Sequence, residues 1–180
     1  TANGAETVLH LTREHDLGAW YMANGVLLRS RALAHEGRSD DALAQLTEAL
    51  KIYGRTAPMS RVNQMLAAEI HLFAGDAAQG LAMIDGQPSA DWLRGELLLH
   101  LIEPEVEAAE RAFHSALVEA RTRSSRSLEL RAALSLARLW REQGHYRRCR
   151  DLLTPIVEWF TEGFETQDLV GAEALLRDVA

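Results

Sequence analysis

Seven histidines, one cysteine, a serine-rich turn and a run of arginines are the side chains of this 180-residue sequence whose chemistry could reach beyond packing. His10, His15, His35, His71, His100, His114 and His145 form no H-x-x-x-H or H-E-x-x-H pair, and none stands four residues from another. A zinc site built on a helix needs such convergence, so the spacing predicts solvated or packing histidines, with no metal and no cofactor. Cys149 has Arg147, Arg148 and Arg150 beside it, charges that could stabilise a thiolate. The competing reading is a buried cysteine acting as a small hydrophobe. Ser124, Ser125 and Ser127 lie in RTRSSRSLEL without His and Asp partners placed to activate a nucleophile, and read as a loop with a helix cap. No G-x-x-x-x-G-K-[ST] phosphate loop is present and Lys51 is the only lysine, so nucleotide hydrolysis is not expected here. The expectation is a chain without catalytic activity of its own.

Charge is the remaining chemistry. Arg121, Arg123, Arg126 and Arg131 form the strongest cluster. They read either as a solvated inter-repeat loop or as a contact for an anion or acidic peptide, because Arg forks suit carboxylate and phosphate. The whole chain has 19 basic and 26 acidic residues and a formal charge of −7, so it lacks the cation excess that coats nucleic acid. A single cysteine cannot form an intramolecular disulfide, which fits a reducing compartment and predicts the cytoplasm. No apolar run approaches the roughly 20 residues that cross a bilayer. The opening TANGAETVLH has neither the basic nor the apolar region of a leader. Its start at Thr1, already close to an amphipathic pattern, predicts a piece of a longer protein.

The elements that must position these groups are helices. The sequence holds 28 Ala and 28 Leu against 13 Ile plus Val, with 12 Gly and 4 Pro. Strand formers are too few for a sandwich or a doubly wound sheet, and the 47% hydrophobic content can build a core. The clearest internal unit is LSLARLWREQGHYRRCRDLLTPI, residues 134–156. Leu136, Ala137 and Trp140 share one helical face, Gly144 ends that helix, and Tyr146, Cys149 and Leu153 share a face of the next. The same frame puts Ser30, Gly37, Ala42, Leu46 and Ala49 into a first pair, and Ala68, Gly75, Gly80 and Ile84 into a second, whose last helix is short and Gly-containing. A third pair sets Gly95 against Ala109, Phe113 and Ala116, with a turn about two residues longer that places Pro104 in the first turn of a helix. Small positions in the second helices fall at 42, 80, 109 and 149, a loose period. A helix over residues 5–15 precedes the pairs. After Ile156, Gly163 is read as the breaker and Thr166 as the cap of a last helix with the stripe Leu169, Ala172, Leu175 and Leu176. The expected fold is all-α, one domain over residues 1–180: a right-handed α-α superhelix of about four helix pairs with a helix at each end, the last one closing the array.

The spacing of large, small, aromatic and turn residues resembles the tetratricopeptide repeat. RGELLL at 94–99, SLELRAALSLARLW at 127–140 and WFTEGFETQDL at 159–169 make the chain similar to the C-terminal helical region of a large bacterial family of predicted ATPases. Members carry a class III adenylate cyclase or a winged-helix DNA-binding domain ahead of the ATPase. The resemblance implies the sensor or interaction end of a signal-transduction ATPase or transcriptional regulator.

First helices of such pairs line a groove, and the repeat frame assigns to it Asn24, Arg31, His35, Glu69, Trp92, Glu96, His100, Arg131, Arg138, Arg141 and Glu142. Trp140 fits a packing slot, and Trp20 and Trp159 take no assignment. Arg131, Arg138 and Arg141 share one helical face, where three mutually repelling guanidiniums, offset in part by Glu142, predict an acidic partner segment. The expected function is binding of a peptide, a helix or another domain of the same chain, without direct nucleic-acid or membrane contact. The alternative is a small-molecule effector in a groove or pocket that regulates an attached ATPase or cyclase.

Overall fold

A computed structural model describes residues 2–15, 18–56, 58–87 and 89–179. Ten helices and no strand appear among them: α1 (Ala2–Glu14), α2 (Ala19–His35), α3 (Ser39–Thr56), α4 (Arg61–Phe73), α5 (Ala77–Met83), α6 (Asp91–Leu99), α7 (Val106–Thr122), α8 (Arg126–Glu142), α9 (Tyr146–Val157) and α10 (Gln167–Asp178). The all-α class is as expected, and so are four helix pairs, α2/α3, α4/α5, α6/α7 and α8/α9, with one helix before and one after. Among the described residues no helix is long and apolar enough to cross a membrane.

The chain divides into two compact units. One holds α1 to α5 together with His100–Pro104, and the other α6 to α10. In the first, α2 packs on α1, α3 and α4, and α4 packs on α3 and α5. Leu9, Leu27, Leu46, Tyr53 and Ile70 fill its centre, and Ala23, Ala42, Ala49 and Ala67 let the helices approach. In the second, α8 is the hub, packed on α6, α7, α9 and α10. Phe113, Leu130, Leu136, Trp140, Leu153 and Leu169 form its centre. In both units the first helix of a pair packs on the first helix of the next, the stacking of a helical repeat.

Turn chemistry explains the pairing. Gly37, Gly75 and Gly144 all adopt a left-handed φ near +76° to +79°. The next residue's N–H reaches back to the carbonyls of Leu33, His71 and Trp140 respectively, closing each helix in a Schellman turn. Ser124 takes the same role between α7 and α8 at φ +53°, with Ser125 N–H donating to the Ala120 carbonyl. The serine-rich loop is therefore a glycine-type turn built on a residue with a Cβ.

The small slots are buried as the repeat frame requires. Ala42, Ala109 and Cys149 have no exposed surface, and Gly80 is buried as well. Ser30 Oγ donates to the Ala42 carbonyl at 2.7 Å, and Cys149 Sγ to the Ala137 carbonyl at 3.2 Å, each twelve residues away. Positions 30 and 137, and 42 and 149, are thus equivalent, with the donor on opposite helices of the two pairs. Burial pushes the Cys149 thiol up, and the Arg141, Arg148 and Arg150 charges offset only part of that. Arg148 lies 3.9 Å from the Trp140 ring centroid, Arg147 pairs with Asp151, and Arg150 donates to the Val179 carbonyl. Native protein is therefore expected to label slowly with a thiol reagent at neutral pH. Cys149→Ala should cost about 1 kcal/mol and Cys149→Leu roughly 1–3 kcal/mol by overpacking, read by denaturant midpoints.

Four local expectations are corrected. Tyr146 is half exposed and does not share the buried face of Cys149 and Leu153, because it is the first residue of α9. Pro104 lies ahead of the N-cap Glu105 and outside the first turn of α7. Gly163 does not break α9, which already ends at Val157; Pro155 lies inside the helix, and the Glu158 N–H beyond it still donates to the Thr154 carbonyl. Thr166 stands at the N-cap of α10, yet its hydroxyl makes no cap bond.

Candidate functional site

Apart from His100, the positions assigned to the groove lie on first helices, and Asn24, Arg31, Glu96, Arg131 and Arg141 are held by partners 37 to 39 residues away. In the α1–α5 unit, Arg31 of α2 grips Glu69 of α4 in a bidentate pair, Nε to Oε2 at 2.6 Å and Nη2 to Oε1 at 3.0 Å. That bond holds the guanidinium proton tighter than usual against a smaller opposing effect of burial. His35 stacks on Phe73 at 4.2 Å between centroids and places Nε2 3.6 Å from the same carboxylate. Asn24 accepts from Asn63 Nδ2 at 2.9 Å, and Asn63 also donates to Tyr53 Oη at 2.7 Å. Burial pushes the Tyr53 phenol up to about 12, so it stays a neutral acceptor. A cleft of about 400 Å³ opens between α1 and α2 beside Arg31 and His35.

In the α6–α10 unit the face is built by α6, α8 and α10. Trp92 Nε1 donates to Ser135 Oγ at 3.0 Å, and Ser135 Oγ donates to Glu96 Oε1 at 2.5 Å, so α6 and α8 are joined by one relay through a buried hydroxyl. Arg131 lies over the Trp92 ring at 5.2 Å and donates through Nε to Asp168 Oδ2 at 3.1 Å. Arg141 Nη1 reaches Asp178 Oδ2 at 3.1 Å. Arg138 and Glu142 line a cleft of about 370 Å³ between α8 and α10. His100 lies exposed, one residue past the end of α6, so it does not share a helix with Trp92 and Glu96. The expectation of three mutually repelling arginines is corrected: α10 supplies carboxylates to two of them.

The arginine cluster before and within α8 divides by function. Glu129 is 3% exposed and receives Arg121 Nε at 2.8 Å and Arg126 Nη1 at 2.6 Å. Burial pushes its pKa up, but the two guanidiniums together outweigh that and hold the carboxyl below its ordinary range. Arg123 pairs with Glu119 at 2.7 Å and also reaches Ser89 Oγ. Arg121 thus ties α7 to α8 through Glu129, Arg126 pairs with the same carboxylate from within α8, and Arg123 links the end of α7 to residue 89, all three staying about half exposed to solvent.

Among the described residues no group of three His, Cys, Asp or Glu side chains converges as metal ligands do. His71 is buried, its Nδ1 lying 3.4 Å from Asp76 Oδ2 without a hydrogen bond, and burial lowers its basicity more than Asp76 raises it.

The arrangement consists of paired charges and indole faces carried on helices. Compared with known protein families, with curated proteins and with solved structures, the chain matches none. The site therefore rests on geometry alone.

The partners that the repeat frame did not name, Asn63, Ser135, Asp168 and Asp178, lie 37 to 39 residues beyond Asn24, Glu96, Arg131 and Arg141. One repeat length added to Asn24, Arg31, Glu96, Arg131 or Arg141 lands on a complementary group, a signal present in the sequence. The other cleft of note, about 980 Å³, is lined by Trp159, Phe160, Arg126, Arg131, Ser125 and Thr166 near the N-termini of α8 and α10. Trp159 is half exposed and carries the Arg126 guanidinium 5.2 Å from its ring centroid.

Proposed function

We propose that this chain is a non-catalytic binding module that takes a peptide, a helix or another domain of its own protein along its first-helix faces. The observation that supports this reading most is the α6/α8/α10 face. There Trp92, Ser135, Glu96, Arg131 and Asp168 are locked into one network, so a ligand meets side chains whose ordering entropy is already spent. The resemblance to the helical end of bacterial signal-transduction ATPases supplies the class of parent protein, with the ATPase domain as an in-chain partner. The test is a calorimetric titration of the chain with that ATPase domain as a separate protein. Saturable binding, with no ATP turnover by the chain itself, is expected. Turnover that survives repurification and scales with the chain's concentration would sink the non-catalytic reading.

The aromatic cleft beside Trp159 favours a second reading, a small organic effector held between α8 and α10, since pockets of this size with apolar walls and a few polar groups suit such ligands. A metabolite thermal-shift screen separates the two. A saturable shift abolished by Trp159→Ala, with no binding of the ATPase domain, would transfer the function to the effector.

A further inference from the structure

The α8 face carries three arginines, and α10 answers two of them. Arg131 meets Asp168 and Arg141 meets Asp178, each at 3.1 Å and each across 37 residues. The equal offsets mean that α8 and α10 run in the same direction and keep register between these two rungs. At the level between them α10 presents Gly171, Ala174 and Leu175, none with an acceptor side chain. Arg138 stands at that level. A Cβ on Gly171 would lie 3.0 Å from Arg138 Nη2, so the guanidinium rests over bare backbone that glycine leaves open. Among the described residues Arg138 has no hydrogen-bond or ion-pair partner, and Glu142, exposed one turn further along, lies beyond ion-pair distance of it.

We infer that Arg138 anchors an Asp or Glu side chain of an acidic partner segment, which enters the cleft between α8 and α10 and completes the missing third rung. The inference rests on the partner-binding reading above and narrows it. Pairing selects the occupant: Arg131 and Arg141 each bond a carboxylate of α10, Glu142 pairs with neither of them nor with Arg138 among the described residues, and the Arg138 guanidinium left over is a planar fork matched to one more carboxylate. The cleft of about 370 Å³ admits an acidic side chain with its neighbouring backbone. Contact with Gly171 limits the guanidinium's freedom before the ligand arrives. Glu142 shares the cleft and opposes an incoming carboxylate, so it sets the affinity from the other side.

The test is fluorescence anisotropy of a labelled oligoglutamate peptide with the full chain at low ionic strength, repeated as salt is raised. Wild type is expected to bind, with affinity falling as salt rises. Arg138→Gln should weaken binding about tenfold, the loss of one charge-assisted contact. Arg147→Gln removes the same charge from α9, where Arg147 already pairs with Asp151, and should leave binding within twofold. Glu142→Gln should tighten it. Equal weakening by Arg138→Gln and Arg147→Gln, or no binding to wild type at low salt, would overturn the inference. The two readings fail separately. If the ATPase domain binds wild type and Arg138→Gln alike, the anchor is wrong and the module reading stands; if that domain does not bind at all, the module reading falls.

Discussion

Gly95→Ala is expected to destabilise the α6–α10 unit by about 3 kcal/mol, at the upper end of ordinary overpacking. A Cβ at this position would lie 2.4 Å from Phe113 Cε1 and 2.6 Å from Cδ1, distances at which something must move. Phe113 is fully buried in the centre of the unit, so its ring has no solvent to swing into. The alternative is to push α6 away from α7, which opens a gap along the buried faces of Leu93 and Leu97. Chemical denaturation monitored by circular dichroism should show the midpoint falling while the slope is kept. Phe113→Leu introduced on top of Gly95→Ala should recover part of the loss, because the shorter side chain vacates the space the new methyl needs. The two changes touch the same space, so their effects should be non-additive. Additive losses would show that Gly95 and Phe113 are not coupled.

That contact was legible in the sequence, and the reason is physical. Close approach of two helices demands a small residue opposite a large one, and Gly95 and Phe113 are such a pair at repeat spacing. The slots at Ala42, Gly80, Ala109 and Cys149 were legible for the same cause, because burial of small residues repeats when the packing geometry repeats. The Schellman glycines at 37, 75 and 144 follow from a backbone conformation that L side chains seldom adopt. Ser124 broke that rule and left its turn without a glycine to mark it.

Polar partners were harder to read. The periodicity places Arg131, Arg138 and Arg141 on one face, yet says nothing about what stands across from them until the direction and register of α10 are known. Sequence reasoning treated the three as equivalent, although one is stacked on an indole and bonded to Asp168, one is bonded to Asp178, and one lies over Gly171. Glu129 was missed altogether, since in RSLELR a glutamate between arginines looks like ordinary surface alternation. Its burial comes from the packing of α7 on α8.

Glu129 supports the second large prediction. Replacing both Arg121 and Arg126 by Met is expected to cost about 3–5 kcal/mol at neutral pH, because it strands a buried carboxylate without a counter-charge. Removing the carboxylate instead should cost less. The guanidiniums of Arg121 and Arg126 are about half exposed and can turn to water once released, whereas Glu129 cannot. The pH dependence supplies the decisive sign. In the wild-type protein the carboxyl is held below its unfolded value, so its contribution to stability is present above the unfolded pKa of about 4.5 and is lost as pH falls through the lower folded value. Without the two arginines only burial remains, which raises the folded value above the unfolded one. Protonation then favours the folded state, and the variant's deficit should shrink as pH is lowered from 7 toward 4. Denaturant midpoints of the two proteins across that range should therefore converge on the acid side. Curves that stay parallel would mean that Glu129 takes another partner once the arginines are gone, and that the clamp between α7 and α8 holds mainly through apolar contact.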